Sequence, residues 1–450
     1  MKLILQRSIP ALLTGLLLMA CQSVSAAKPM AFPGAEGFGQ YTQGGRGGRI
    51  IVVDSLQDSD KARPGTLRYA VKAKGPRIVV FSVSGVIHLV KPLEIKQDFI
   101  TIAGQTSPGG IVVTGSETQI DANQVIIRYL RFRPGAEHEQ GDAVTSKRHH
   151  DIIIDHCSMS WANDEVASFY NNTNFTLQYS IVSESLNNAG HAKGSHGYGG
   201  IWGGQRASFI HNVLAHHTSR NPRINGYRLK PTYQQQDELT DIRNNVIYNW
   251  SKNSAYGSEN GRFNLVNNLF KPGPAEGPLR FFQLWDVDDN KPAGQAYIAG
   301  NVMSGHDDLS ANNLLAIKIK DEKHLDKAVV ERIKQKFLVN KAFNDAQYPL
   351  DYLQQTALDS YQTLIMDGEV GANRTRAGIY QDSVDKRVLA EIAAGNATVG
   401  NGIIDSELQV IKGWDAYAQE FATTAASTIP AEYLNDSAAA QQWIDKLGAF

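Results

Sequence analysis

A short pattern repeats along the middle of this chain, and it constrains the fold more than any other feature. An apolar residue, two variable residues and a small or polar residue, followed by further apolar residues, recur at intervals of about 23 to 33 residues. Self-similarity at such a period indicates a solenoid. The copies begin at Ile127, Ile154, Leu177, Phe209, Ile242, Leu265 and Ile298.

The repeating segments are short and strand-like, which excludes helical repeats, and no leucine-rich signature is present. We therefore predict an all-β fold, a right-handed parallel β-helix, whose coils stack at about 4.8 Å. Equivalent positions of successive coils would form ladders. The fourth positions of four copies are Asn212, Asn245, Asn268 and Asn301, which predicts a ladder of stacked amides. The alternative is four asparagines in unrelated turns.

The pattern changes after residue 305, where helical spacing replaces it. The apolar positions of three expected helices are Leu325, Ala328, Val329, Ile333 and Phe337; Val388, Leu389 and Ile392; and Trp443, Ile444 and Leu447. We interpret residues 28–305 as the β-helix domain and residues 306–450 as a helix and loop extension packed on it. An independent C-terminal domain is the alternative.

The N-terminus resembles an export signal over residues 1–27, with basic Lys2 and Arg7 followed by a short apolar run. The segment ending at Cys21 also resembles a lipoprotein cleavage site, so either a secreted protein or an outer-membrane lipoprotein anchored at Cys21 is expected. The other cysteine, Cys157, then has no partner and is interpreted as a core residue.

Composition excludes some partners. The chain has 450 residues and a net charge of −1, so it lacks the basic excess typical of nucleic-acid binding. The apolar run at the N-terminus is too short to span a bilayer, and no other apolar run is long enough. The glycine-rich residues 31–49 lack the motif of a phosphate loop and indicate tight turns before a strand, Arg49–Val53. A monomer is expected.

Arg220 and Arg223 bracket Pro222 in the segment 216–223, HHTSRNPR. Proline fixes its own φ and restricts the residue before it, so the backbone here is stiff. Two cations held this close repel each other unless an anion lies nearby. The segment is therefore a candidate site for an acidic sugar.

Counting along the repeat places further residues beside Arg220. Arg220 lies eight positions after Asn212, Glu165 eight after Cys157, and Asn188 eight after Ser180. These positions predict one face on which Glu165 and Arg220 are two coils apart. Neighbouring candidates are Asp142, Asp164 and Lys193.

Acidic oxygens without cysteine or histidine spacing suit a hard cation such as Ca²⁺. Solvated turn residues are the alternative interpretation for Asp142 and Asp164. The histidine pairs at 149–150 and 216–217 lack the spacing of a zinc-binding helix, so turn or core roles are expected.

Several motifs together resemble the pectate lyases of polysaccharide lyase family 1. They are residues 31–39 (AFPGAEGFG), 65–68 (GTLR), 127–133 (IRYLRFR), 141–142 (GD), 154–156 (IDH), 219–223 (SRNPR) and 244–249 (NNVIYN), with weaker similarity at 382–387 and 403–406. The resemblance implies a parallel β-helix that cleaves polygalacturonate by Ca²⁺-dependent β-elimination, giving 4,5-unsaturated oligogalacturonates.

The resemblance also assigns roles to residues. Asp142 matches the calcium aspartate of the family, and Asp164 and Glu165 are candidates for the other carboxylate ligands. Lys193 resembles the substrate-binding lysine and Arg220 the catalytic arginine, whereas residue types alone make Arg220 an anion clamp. The second arginine of the family falls on Asn225 here, so Arg223 or Arg228 must replace it in binding substrate.

Three other functions stay open. A polygalacturonate hydrolase on the same fold would use Asp142 and Asp164 as acid and base, but would leave the arginine segment without a purpose. A non-catalytic surface solenoid that binds acidic glycans would explain the cations but not the carboxylates. A calcium-independent lyase acting on methylated pectin is disfavoured by the same carboxylates.

Overall fold

The computed structural model describes residues 28–137, 140–285, 287, 294–345, 350, 355–423 and 428–449. Within them the chain winds as a parallel β-helix, and the coils contribute strands to three long parallel runs, here called sheets 1, 2 and 3. Two long strands, Ala167–Gln178 and Ile201–Ile210, bend from sheet 2 into sheet 1 and join them.

The remaining strands of each sheet follow one another in chain order. Sheet 1 contains Arg49–Val53, Arg77–Phe81, Ile100–Ala103, Val125–Arg128, His150–Asp155, Leu239–Arg243, Arg262–Val266 and Gln295–Ala299. Sheet 2 contains Leu93–Ile95, Thr118–Ile120, Val144–Lys147, Arg223–Ile224, Ala255–Gly257, Phe282–Leu284 and Ile317–Ile319. Sheet 3 contains Gly85–His88, Ile111–Thr114, Arg131–Phe132, Ser158–Ser160, Ile181–Ser183, Val213–His217, Val246–Trp250, Leu269–Lys271 and Val302–Met303.

The strand register confirms the sequence repeat. The first positions of all the copies are direct partners in sheet 1, in the order Ile127, Ile154, Leu177, Phe209, Ile242, Leu265 and Ile298. These side chains point inward and join one buried apolar cluster that extends along the coils. The repeat therefore arises because each coil buries an apolar side chain at the equivalent position.

The asparagine ladder is also confirmed. Nδ2 of Asn212 donates to Oδ1 of Asn245 at 3.0 Å, and the same bond recurs from Asn245 to Asn268 and from Asn268 to Asn301, each at 2.9 Å. The ladder continues to Asn313, whose Oδ1 accepts from Asn301 at 3.0 Å. Since these side chains are buried, each amide satisfies polar groups that would otherwise lack partners.

The other local predictions for the solenoid also agree with the structure. Cys157 is fully buried and unbonded to another cysteine. Tight turns precede the strand Arg49–Val53, and one of them needs glycine, because a Cβ on Gly45 would lie 1.7 Å from the carbonyl oxygen of Arg77. His216 and His217 are buried core residues of sheet 3.

Helices dominate the C-terminal region, as predicted. The α-helices of the described residues are Leu67–Lys72, Asp307–Ala311, Lys327–Phe337, Ala357–Tyr361, Ser383–Ala394, Trp414–Gln419, Ala431–Asn435 and Ser437–Leu447. Short 3₁₀ or π turns span Gly104–Thr106, Gln235–Asp237, Asn313–Ala316, Glu322–His324, Gln362–Met366 and Glu407–Gln409, and Arg374–Thr375 pairs antiparallel with Gly378–Ile379. The three expected helices correspond to Lys327–Phe337, Ser383–Ala394 and Ser437–Leu447.

The helix Ser383–Ala394, here called the splint helix, lies across consecutive coils of sheet 3. Its N-cap Asp382 and its Asp385 bind Arg133 at 3.0 and 2.6 Å, and Asp385 also accepts a hydrogen bond from Ser158 at 2.6 Å. Further along, Arg387 pairs with Glu184 at 2.8 Å, and Glu391 with His216 at 3.0 Å.

The length of the splint helix between its contacts equals the distance spanned by the coils that it contacts. From Asp382 to Glu391 an α-helix rises about 13.5 Å. Four consecutive coils carry these partners, Arg133, Ser158, Glu184 and His216. The three spacings between the coils span about 14 Å. The rise of the helix therefore keeps pace with the spacing of the coils, and each of these coils receives a contact from the helix.

The division into domains stays a prediction. The last parallel strand, Ile317–Ile319, pairs with Phe282–Leu284 and lies beyond residue 305. The proposed signal segment 1–27 and the possible anchor Cys21 lie outside the described residues. Among the residues that are described, no helix has the length and apolar character needed to cross a membrane.

Candidate active site

The candidate residues gather at one edge of sheet 2, where successive coils place Glu165, Tyr198 and Ser219 side by side. The predicted proximity of Glu165 and Arg220 is found, and their side chains form an ion pair. The expected place of Asn188 between them is wrong, because residues 187–197 form a loop and Tyr198 takes that position. Asn188 instead lies against the C-terminal region, where its N–H donates to Asp405 at 3.0 Å.

Three carboxylates converge beside this edge. Ligand oxygens of Asp142, Asp164 and Glu165 all lie within 4.8 Å of one another. Oδ1 of Asp142 accepts the backbone N–H of Glu165 at 3.2 Å, which fixes the two residues on neighbouring coils. The spacing of the repeat predicts that these residues are neighbours but does not predict the distances between them.

The environment of Asp142 disfavours its charge. Burial, then the neighbouring Asp164, raises the pKa of the Asp142 carboxyl to about 7, and Glu117 adds to the effect while Lys147 opposes it. A bound cation would relieve this repulsion between carboxylates. The cluster of carboxylates around Asp142 would therefore be stabilised by a cation, because Lys147 offsets only part of its negative charge.

The carboxylates fit calcium in kind and in spacing. Ca²⁺ takes oxygen ligands at about 2.3–2.6 Å, so two ligands on opposite sides of one ion are about 5 Å apart. The separations within the set Asp142, Asp164 and Glu165 do not exceed 4.8 Å. One ion can therefore contact all three residues, with carbonyl oxygens or water completing its shell.

Arg220 is held over the edge of the sheet by its neighbours. Its guanidinium contacts Glu165, and its Cζ lies 4.1 Å from the ring centroid of Tyr198. Its backbone has a φ of 60°, a conformation that is uncommon outside glycine. About a quarter of the side chain is exposed, so it can reach a bound molecule.

Arg223 and Arg228 share one acidic partner. Both guanidinium groups bind Glu259, Arg228 at 3.6 Å. Burial, then the charge of Arg223, lowers the pKa of Arg228. Arg223 also stands over the rings of Tyr256 and Trp285, at 5.1 and 5.3 Å from their centroids. The two arginines and aromatic rings thus continue the edge on which Arg220 lies.

Asn225 and Lys193 have different surroundings. Asn225 is buried, and its amide binds Asn171 at 2.9 Å and the carbonyl oxygen of Arg228 at 3.3 Å. It therefore supports the loop rather than facing the site. Lys193 is exposed in the loop 187–197, and its backbone N–H donates to Nδ1 of His191 at 3.1 Å.

Four residues of the site were missed by sequence reasoning: His191, His196, Tyr198 and Glu259. His191 and His196 lie 3.6 and 3.7 Å from Asp164. Burial, then His196, lowers the pKa of His191. The spacing of the two histidines within one insertion was a usable signal, whereas Glu259 lies more than 30 residues beyond its partners and carries no pattern.

Comparison with known proteins gives this geometry a context. No family model matches the chain. A probable pectate lyase C of Aspergillus terreus is 32% identical over 388 residues, which cover 83% of this chain and 78% of the relative. This chain belongs to the pectate lyase family. A second probable pectate lyase C, from Emericella nidulans, is 36% identical over 59% of this chain and 58% of its own length.

Solved structures extend the relationship at the level of the fold. Jun a 1, the major allergen from cedar pollen, matches 77% of this chain and 93% of its own with a TM-score of 0.52 at 16% identity. A pectate lyase bound to a hexasaccharide matches 79% and 99%, with a TM-score of 0.50 at 13% identity. The pectate lyase fold of this chain is thus the right-handed parallel β-helix predicted from its repeat. Its family is one of polysaccharide lyases.

Proposed function

We propose that this pectate lyase family member cleaves polygalacturonate by calcium-dependent β-elimination and releases 4,5-unsaturated oligogalacturonates. The observation that carries the proposal is that Asp142, Asp164 and Glu165 meet with oxygens within 4.8 Å of one another, beside the partly exposed cation Arg220. Anionic ligands for a cation and cationic groups for a carboxylate are thus adjacent. An acidic polysaccharide needs both.

Asp142, Asp164 and Glu165 would hold the calcium ion. Bound there, Ca²⁺ would neutralise the substrate carboxylate and stabilise the negative charge that develops when the neighbouring C5 proton leaves. The chain's own part is to keep these three carboxylates together. The hydrogen bond from Glu165 N–H to Asp142 links neighbouring coils, and Asp164 precedes Glu165 directly in the chain.

Arg220 would act as the base that removes the C5 proton. Electrons of the C5–H bond then form the 4,5 double bond. The C4–O4 bond breaks, and O4 leaves with its electron pair on the other part of the chain and takes up a proton from water. Tyr198 and Glu165 fix where the guanidinium stands.

Lys193, Arg223 and Arg228 would bind substrate carboxylates. Arg223 and Arg228 are positioned by Glu259, so their guanidinium groups are ordered before a polymer arrives. An ordered cation loses less conformational entropy on binding than a free one. Lys193 is exposed and can adapt to the polymer.

We further propose that the protein is exported, is monomeric, and divides into a β-helix over residues 28–305 and an extension over residues 306–450. The comparisons give no support to a lipid anchor at Cys21. A substrate as large as pectin requires an enzyme outside the cell, which favours secretion.

The test follows polygalacturonate by two signals, the ultraviolet absorbance of the new conjugated double bond and the release of reducing ends. Both should rise together with Ca²⁺ and disappear with a chelator. Asp142→Ala should lose the response to Ca²⁺, and Asp121→Ala, on an exposed turn, is its control.

Either of two results would contradict the proposal. Reducing ends without absorbance would mean hydrolysis, with Asp142 and Asp164 as acid and base. Binding of polygalacturonate without either signal would mean a glycan-binding solenoid.

A further inference from the structure

Asp164 takes part in a second cluster that the proposed function does not use. Its Oδ2 lies 3.6 Å from Nε2 of His191, and its Oδ1 lies 3.7 Å from Nε2 of His196. The three ligand atoms lie within 4.8 Å of one another. The two histidine side chains are 1% and 7% exposed, and their ring centroids are 3.4 Å apart. Two largely buried imidazole rings thus face a carboxylate that is partly exposed to solvent.

The hydrogen bonds of His196 determine which nitrogen faces Asp164 with a lone pair. Nδ1 of His196 lies 2.8 Å from the carbonyl oxygen of Gly194, which can only accept. In the neutral ring Nδ1 therefore carries the hydrogen, and Nε2 is an acceptor. Nε2 faces a carboxylate oxygen, which is also an acceptor. Two such atoms repel each other unless a positive charge lies between them.

His191 has the opposite arrangement. Its Nδ1 accepts the backbone N–H of Lys193 at 3.1 Å, so in the neutral ring the hydrogen is on Nε2. That Nε2 is buried, has no hydrogen bond, and is directed toward the second oxygen of Asp164. Donors placed in this way commonly orient a carboxylate that binds a metal through its other oxygen.

We propose that Asp164 and His196 bind a second divalent cation, of the class that accepts imidazole nitrogen, such as Mn²⁺, Co²⁺, Ni²⁺ or Zn²⁺. His191 acts as a positioning residue that holds Asp164. Imidazole suits these ions, whereas Ca²⁺ favours sites made of oxygen alone. The site shares Asp164 with the proposed calcium ligands, so one carboxylate would bridge two ions. It does not depend on lyase activity.

The test is titration of Co²⁺ into the full chain, stripped of metal and saturated with Ca²⁺. The titration is carried out at mildly alkaline pH, where protons compete less with metal ions for imidazole nitrogen. Nitrogen ligation is followed by the visible absorption of Co²⁺, and affinity by calorimetry. The variants are His196→Ala, His191→Ala and, as the matched control, His324→Ala, since His324 is exposed in a distant 3₁₀ turn.

We expect one Co²⁺ per chain with a visible band. His196→Ala should abolish the band, and His191→Ala should weaken binding by about 10- to 100-fold, the usual effect of losing an orienting partner. His324→Ala should bind as the wild type does. Circular dichroism checks each variant, and His196→Gln replaces His196→Ala if the latter does not fold.

Three outcomes would overturn the proposal: no visible band in the wild type, equal affinity in the wild type and in the His196 variant, or a band that forms in the metal-free chain but not in the chain saturated with Ca²⁺. The lyase assay is read separately. A Co²⁺ band in a protein that shows no Ca²⁺-dependent cleavage would reject the proposed function and leave this site in place.

Discussion

Arg220 combines an unusual backbone conformation with an unusual setting for a cation. Its backbone lies in the left-handed region, and its guanidinium is placed between the carboxylate Glu165 and the face of Tyr198. Lysine carries the same charge but lacks the planar group that spans both contacts. The two residues are therefore not equivalent here.

We predict that Arg220→Lys loses nearly all turnover on polygalacturonate while binding of the polymer survives. The charge that attracts the substrate is retained, whereas the placed guanidinium that would take the proton is lost. Initial rates and a binding isotherm on the same preparation measure the two effects. The control is Arg49→Lys, at the exposed first position of a strand. Turnover of Arg220→Lys within about tenfold of wild type would reject the role of base.

At this scale the sequence predicted more of the site than of its surroundings. Glu165 and Arg220 lie the same number of positions after Cys157 and Asn212, which are equivalent positions of the repeat. This equal spacing predicts that the two residues are close to each other. Counting from Ser180 failed for Asn188, since an insertion resets the phase of the coil and only the structure shows where Tyr198 re-enters. The pairing of Glu259 with Arg223 and Arg228 depends on a loop of another coil, which no local pattern marks.

The strands of the solenoid can be predicted from the sequence, whereas the contacts of the C-terminal helices cannot. Sheet 1 buries an apolar side chain at the same register in every coil, so this burial produces a periodic pattern in the sequence. The splint helix could be predicted from its spacing, but its partners could not. Its ion pairs with Arg133, Glu184 and His216 join residues more than 170 positions apart. Pairs such as Asp385 and Ser158 follow no period.

We predict that Asn245→Ala destabilises the protein by about 1–3 kcal/mol for each buried polar group left without a partner. Oδ1 of Asn245 accepts from the backbone and the amide of Asn212, and its own amide binds Asn268 and the carbonyl oxygen of Phe209. Denaturant unfolding measures the change. Asn340→Ala, at an exposed position, should stay within about 0.5 kcal/mol of wild type, and an equal effect of the two would contradict a structural role for the ladder.

The attachment of the splint helix should depend on pH through Glu391. Burial alone would raise the pKa of this carboxyl, but hydrogen bonds from His216 and Thr398 and the charge of Arg387 lower it to about 2. An ordinary glutamate has a pKa of about 4.3. The folded state therefore favours the charged form, and its stabilisation is present above about pH 4.3 and lost as the pH falls toward 2.

We accordingly expect Glu391→Gln to lower the melting temperature at neutral pH and to approach the wild type as the pH falls to about 3. Melting curves across this range give the comparison. Glu432→Gln, which changes an exposed glutamate, should follow the wild type throughout. A difference for Glu391→Gln that is constant with pH would show that the loss is one of packing and not of charge.

The whole molecule is a solenoid whose C-terminal extension is bound to its side by buried charges. Arg131 and Arg133 are fully buried and are neutralised by Asp382 and Asp385. Removing one partner of a buried ion pair leaves a charge without compensation, at a cost of about 3–5 kcal/mol. The extension and the coils therefore depend on each other, which the helical spacing after residue 305 did not reveal.

We predict that residues 28–319 produced alone do not fold to a stable monomer, because the truncation removes the partners of Arg131, Arg133, Glu184 and His216 together. Residues 28–450 provide the comparison. Circular dichroism and size-exclusion chromatography distinguish the outcomes. A soluble, cooperatively unfolding fragment would instead favour the extension as an independent domain.

The splint helix also limits how this fold can change over evolutionary time. Duplication of a coil is the simple way for a solenoid to lengthen, since each repeat contacts only its neighbours. Between Arg131 and His216 one extra coil would move the later partners by about 4.8 Å while the helix kept its own rise, so Arg387 and Glu391 would face the wrong coils. Growth by duplication is therefore confined to the parts of the solenoid that this helix does not touch.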